Sequence, residues 1–214
     1  MKKLLPLLLL ILIGCSSPEP EPLNYELLER RDGVHYRKDT NEIYSGPVFN
    51  LDGTWSGKSE GTLKEGKFYG TLKFYYWDGE LQQEIITKNG LQVKSTIYHL
   101  YGRHEFTLKE YKEGIIKYHG PWKTYFKNGQ LESEGTYKDG KFDGPVKYYN
   151  ENGQLEEEKT FKNGVREGPF VSYYSNGDRR EGTYKNGVRE GKGFYYWSNG
   201  RVQEEIWKND ELVE

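Results

Sequence analysis

Most of this 214-residue chain is written in short runs of alternating side chains, each opened by a glycine and closed by a turn signal. From Gly120 the run passes through Trp122, Lys123, Tyr125 and Phe126 to Asn128-Gly129. From Gly144 and Gly168 the same order returns, with Val146, Lys147 and Tyr149 and with Phe170, Val171 and Tyr173. Alternation with a period of two is the mark of a strand, because successive side chains point to opposite faces. The first turns fall at Asp78-Gly79, Asn128-Gly129, Asn152-Gly153, Asn176-Gly177 and Asn199-Gly200. A second strand follows, carrying Leu131, Leu155 or Val202 just past the turn. A second turn then closes the unit at Asn89-Gly90, Asp139-Gly140, Asn163-Gly164 or Asn186-Gly187. Asn-Gly and Asp-Gly favour tight hairpins because both central residues tolerate positive φ. The pattern predicts strand, turn, strand, turn: an antiparallel meander. Only Tyr25 to Arg31 offers even a short stretch of helical periodicity.

The unit starts are Gly46, Gly70, Val93, Gly120, Gly144, Gly168 and Gly191, recurring every 23 to 27 residues. The third unit departs most: Val93 stands in the glycine slot, and its membership rests on spacing, Tyr98 and the turn glycine assigned to Gly102. The residues Trp122, Tyr125, Phe126, Gly129, Leu131, Glu134, Gly135, Tyr137, Gly140 and Gly144 carry a resemblance to the MORN repeat, in its bacterial variant. The resemblance runs from about Gly46 to the C-terminus and is strongest from Gly120 onward. It implies an all-β, elongated, single-layer antiparallel meander of about seven hairpin repeats. A long exposed sheet suits a binding or scaffold role, for which the resemblance adds the specific form of an antitoxin or immunity component. Architecture of this kind does not by itself fix function.

Alternation sorts the aromatics. Tyr75, Tyr98, Tyr125, Tyr149, Tyr173 and Tyr196 form one column on one face, beside Lys73, Lys123 and Lys147. A column this regular is assigned to structure, as a ladder of rings between neighbouring repeats. Trp122, Phe126, Phe170, Tyr174, Tyr195 and Trp197 recur less strictly on the other face and form the candidate binding face. Neither face carries enough aliphatic mass to support a second layer.

Composition agrees with strands and turns: 26 Gly and 33 aromatic residues (19 Tyr, 9 Phe, 5 Trp) in a chain only 34% hydrophobic. The N-terminus reads as a processing segment. Lys2 and Lys3 precede the apolar stretch Leu4 to Ile13, too short to span a bilayer. Leu12-Ile13-Gly14-Cys15 then resembles a bacterial lipobox, which implies lipid attachment at Cys15, the one cysteine of the chain. Four segments are expected: signal peptide 1–14, lipidated cysteine and Pro/Glu tether 15–23, N-terminal cap segment 24–45, and repeat array 46–214. The alternating prolines from Pro18 to Pro22 favour extended, polyproline-like backbone. Loss of Lys2 and Lys3 takes the net charge from −2 to −4, with no basic footprint for nucleic acid.

Chemistry-bearing motifs are sparse. His35, His99, His104 and His119 match no zinc-protease spacing, and His99 and His104 are read as surface residues flanking a turn, with a shared metal as the alternative. Glu156-Glu157-Glu158 and Glu204-Glu205 are read as solvated strand residues on alternate faces. The turn glycines precede no helix, so no phosphate loop is indicated. The expectation is a non-catalytic protein without cofactor or metal, lipid-anchored in the bacterial envelope. Ser16 after the cysteine points by analogy to the outer membrane. The partner expected is a protein, such as a toxin; the alternative is an envelope glycan stacked on aromatics.

Overall fold

A computed structural model of the chain describes residues 20–51, 58–99, 102–110 and 116–213. The signal-peptide and lipidation readings, and most of the tether, lie outside these residues. Among the described residues nineteen strands form one sheet, with a separate two-stranded hairpin near the N-terminus and no helix but the 3-10 turn Tyr25–Leu27. Pairing follows chain order. The strand Gly46–Phe49 pairs with Ser59–Lys64, which pairs with Gly70–Tyr75, and so on to Val202–Lys208 and Glu211–Leu212. All these pairings are antiparallel. The exception is Leu23–Asn24, which runs parallel to Val48 and Phe49 at the N-terminal edge. The expected elongated meander is the architecture observed.

The two turn series differ, which the shared Asn-Gly signal did not predict. At the second turns both central residues take positive φ: 52° and 85° at Asn163-Gly164, 54° and 85° at Asp139-Gly140. These are two-residue hairpins whose twist matches that of the strands. At the first turns only the glycine does, with φ +85° at Gly129. The Gly129 N–H bonds to the Phe126 carbonyl and the Phe126 N–H to the Gln130 carbonyl, both at 2.9 Å. This is the wider three-residue loop, a type I turn closed by a left-handed glycine. The asparagine serves there through its side chain: Asn128 Oδ1 accepts from the Gln130 N–H at 2.9 Å, Asn199 Oδ1 from Arg201 N–H at 3.0 Å.

The third unit is corrected in detail. Gly102 is not the turn glycine; it opens the strand Gly102–Glu110, opposite both His99 and Phe126. A Cβ at this position would stand 1.9 Å from the Tyr125 carbonyl oxygen. Glycine is therefore needed for close backbone approach rather than for chain reversal.

The N-terminal segment packs against the first unit. Leu28, Tyr44, Val48 and Leu63 form a buried cluster, with Leu23, Tyr25, Leu51 and Phe68 against it. His35 is 3% exposed. Its Nδ1 lies 2.7 Å from the Gly66 carbonyl oxygen and its Nε2 2.7 Å from the Tyr25 hydroxyl. Burial holds its pKa below the usual histidine range, with the Gly66 bond opposing and Arg30 adding to the shift. A depressed folded-state pKa stabilises fully above the unfolded value, and that contribution is lost as pH falls below it.

Candidate binding faces

One face of the sheet is a buried aromatic groove. Its floor is the third residue of the first six units: Val48, Leu72, Ser95, Trp122, Val146 and Phe170, all under 8% exposed. These side chains sink because the paired strand often offers a glycine. A Cβ at Gly135 would lie 2.9 Å from Trp122 Nε1, and one at Gly182 would lie 2.9 Å from Phe170 Cε1. The short strand Lys141–Phe142 then brings Phe142 to 5.5 Å from the Trp122 ring and 4.6 Å from Tyr137. The seventh unit inverts the arrangement. Gly193 takes the floor position, and Glu205, 2% exposed, occupies the paired strand. Its carboxylate accepts from Arg180 at 3.0 Å and from the Trp207 indole N–H at 3.1 Å. A buried carboxylate requires such partners.

The six candidate binding residues are therefore not one platform. Trp122 and Phe170 are core residues at 7% and 6% exposure, and the indole N–H of Trp122 has no hydrogen-bond partner among the described residues. Phe126, half-buried, lies apart in a cleft of about 760 Å³ bordered by Gly102, with Tyr76, Tyr98 and His99. Tyr174, Tyr195 and Trp197 do come together, at the first-turn end of units six and seven. The Tyr174 and Tyr195 ring centroids are 6.1 Å apart, and Tyr195 and Trp197 meet edge-to-face at 4.7 Å. Asp178 organises this tip. It accepts from the Tyr195 hydroxyl at 2.6 Å, the Asn176 amide at 2.9 Å and the Ser198 N–H at 2.9 Å. Those bonds hold its pKa below the usual carboxylate range, the Tyr195 bond foremost. Arg201 covers Trp197 at 4.3 Å from the ring.

The opposite face carries the tyrosine column, and its hydroxyls reach back to the preceding unit. Tyr75 donates to Glu60 at 2.6 Å, Tyr98 to Glu84 at 3.0 Å, Tyr149 to Glu134 at 3.0 Å and Tyr196 to Glu181 at 2.6 Å. The Glu60 bond pushes the Tyr75 pKa up to about 12. Beside the column runs a row that crosses the sheet strand by strand: Glu60, Lys73 and Glu84, then Glu105, Lys123, Glu134, Lys147 and Glu158. Thr96 bridges the two segments. Opposite charges meet as direct cross-strand neighbours, with Lys123 3.5 Å from Glu134 and Lys73 3.9 Å from Glu84. Each such pair contributes about 0.2–1 kcal/mol.

The model of the MORN repeat variant matches residues 118–139, 142–163 and 166–186, and that of the MORN repeat matches 181–200. MORN repeats are thus found between residues 118 and 200. No curated protein matches the chain. The matched MORN repeats share their hairpin grammar with the earlier units, in which Leu72 and Tyr75 stand where Val146 and Tyr149 do.

Among the described residues no three histidine, cysteine or carboxylate side chains gather as a metal site. His99 and His104, which flank the start of the strand Gly102–Glu110, do meet. Both are half-buried, their Nε2 atoms lie 3.0 Å apart, and burial, with the His99 charge behind it, lowers the His104 pKa. They meet because both project onto the groove face from adjacent strands, diagonally across the Ile97–His104 pair. Glu157 and Glu158 do alternate faces: Glu157 pairs with Lys159 at 2.6 Å, Glu158 with Lys147 at 4.0 Å. Sequence reasoning passed over Trp77, which is 82% exposed in the first turn of unit two. The available signal was a tryptophan in a loop slot that holds Lys127, Glu151, Ser175 or Ser198 elsewhere.

Proposed function

We propose that this chain is a non-catalytic binding module tethered by a lipid at Cys15 to a bacterial envelope membrane, and that the Tyr174, Tyr195 and Trp197 tip contacts a protein partner. The observation that supports the reading is the tip itself. Tyr174 is 41% exposed, and Tyr195 and Trp197 are half-buried in an arrangement fixed by Asp178. Rings held rigid and part open to solvent lose little conformational freedom on contact, and aromatics dominate the strongest parts of interfaces. In the form implied by the repeat resemblance, the partner is a toxin acting in the envelope, and this protein is its immunity component. Ser16 favours the outer membrane.

The anchor is tested by Cys15→Ala. The variant is expected to move from the detergent phase to the aqueous phase on phase separation; a variant that partitions as the wild type does would remove the lipid from the reading. The tip is tested by Tyr174→Ala and Trp197→Ala, with cross-linked partners recovered from intact cells and binding to purified cell-wall glycan measured in parallel. Loss of a captured protein at unchanged melting temperature is the expected result. Loss of glycan binding instead would give the tip to the envelope glycan, and loss of neither would remove it as a site.

A further inference from the structure

The crossing row of charges breaks at its C-terminal end. In units four and five a lysine stands between two glutamates: Lys123 between Glu105 and Glu134, Lys147 between Glu134 and Glu158. In unit six the same slot holds Val171, between Glu158 and Glu181, and in unit seven it holds Phe194, between Glu181 and Glu204. The two carboxylates flanking Val171 are two strand spacings apart, about 10 Å.

Three further features mark the Val171 slot. Its tyrosine is not anchored: Tyr173 is 41% exposed and makes no bond to Glu158, whereas Tyr149 and Tyr196 bond the equivalent glutamates. The nearest cation to Glu158 is Lys147 at 4.0 Å, at the outer limit of an ion pair. A cleft of about 390 Å³ opens here, with Pro169, Phe170, Val171 and Phe194 as its apolar surface and Glu158 and Glu181 at its sides; Glu181 is already held by Arg179 at 3.2 Å and the Tyr196 hydroxyl at 2.6 Å, which leaves Glu158 to meet an incoming cation. Lys192 also borders the cleft, but its ammonium is committed to Glu204 at 2.6 Å.

We infer that this cleft is a binding site for a basic side chain, foremost an arginine, on an extended segment of a partner protein. The chain's own repeats display the chemistry the slot accommodates, since a lysine fills it in the two preceding units. An incoming arginine lays its aliphatic stem along Val171 and Phe194, and its guanidinium reaches the carboxylate of Glu158. The forked donor geometry suits a carboxylate better than a single ammonium does. The site lies on the face opposite the aromatic tip and stands independently of it.

The test uses the full-length protein in detergent micelles and a fluorescent hexapeptide of alternating arginine and valine, read by anisotropy. The control is the same peptide with citrulline for arginine, which keeps shape and removes charge. The arginine peptide is expected to bind and the citrulline peptide not to. Glu158→Gln is expected to weaken binding about tenfold. Val171→Lys restores the residue found in units four and five and is expected to abolish binding while leaving circular dichroism and melting temperature unchanged. Equal affinity for both peptides, or full affinity in Val171→Lys, would overturn the inference. Tip variants serve as the cross-check. If they lose a captured partner while Val171→Lys retains both partner and peptide, the cleft fails and the tip reading survives. If Val171→Lys alone loses the peptide and tip variants lose nothing, the reverse holds.

Discussion

Trp122→Ala is expected to destabilise the array by about 3–5 kcal/mol, the usual cost of truncating a buried large aromatic. The ring is 7% exposed, lies over Gly135 and packs 5.9 Å from Tyr137 and 5.5 Å from Phe142. Gly135 has no side chain to move into the void, so the cavity persists. Each repeat contacts only its neighbours, so the loss should concentrate in the units on either side. Hydrogen exchange should show protection lost from Gly120 to Phe142 and largely kept from Gly191 onward. Tyr149→Ala is the comparison. Its hydroxyl bond to Glu134 is 3.0 Å long and its ring only part-buried, so a loss of about 1–2 kcal/mol is expected. If Trp122→Ala melts with the wild type, the ring is not core, and its exclusion from the binding face has to be withdrawn.

Gly102→Ala is expected to be as severe, although it adds a single carbon. The new Cβ would meet the Tyr125 carbonyl oxygen at 1.9 Å and its carbon at 3.0 Å, both backbone atoms that no rotamer change can move. The strand Gly102–Glu110 would have to separate from Ile116–Phe126 near the Gly102–Phe126 pair, at a cost of about 3 kcal/mol or more. Gly129→Ala is the control, because Gly129 has the left-handed φ of +85° but no atom within 4 Å of the added carbon. Only backbone strain remains there, about 1–2 kcal/mol. Urea unfolding of both variants separates the two causes; equal losses would mean that close approach at Gly102 is not what selects glycine.

Much of this was legible in the residues. The period of two, the glycine-opened runs and the paired turn signals established the meander, because strand and hairpin depend on interactions a few residues apart. Alternation also placed the tyrosine column and its lysines on one face and the rings of Trp122 and Phe170 on the other. The same local logic separated Glu157 from Glu158.

What it could not reach were distinctions made by a neighbouring strand. One Asn-Gly signal served two turn types, and the choice between them came from where the flanking strands pair: Lys162 opposite Val165 leaves two residues to close the loop, Tyr149 opposite Leu155 leaves more. Gly102 looked like a turn glycine by spacing and proved to be a gap for another strand's carbonyl. Trp122 and Trp197 looked alike as recurrent aromatics. One lies across a glycine of the paired strand and is buried; the other sits beyond the paired region, beside Tyr195 at the loops. The alternating charge row, and its interruption at Val171, required the register of every strand pair, because its members are neighbours across the sheet rather than along the chain. Alternation along a strand is decided by covalent geometry, which the sequence carries. Burial and charge pairing across strands are decided by register and by the size of the facing residue, which only the assembled sheet fixes.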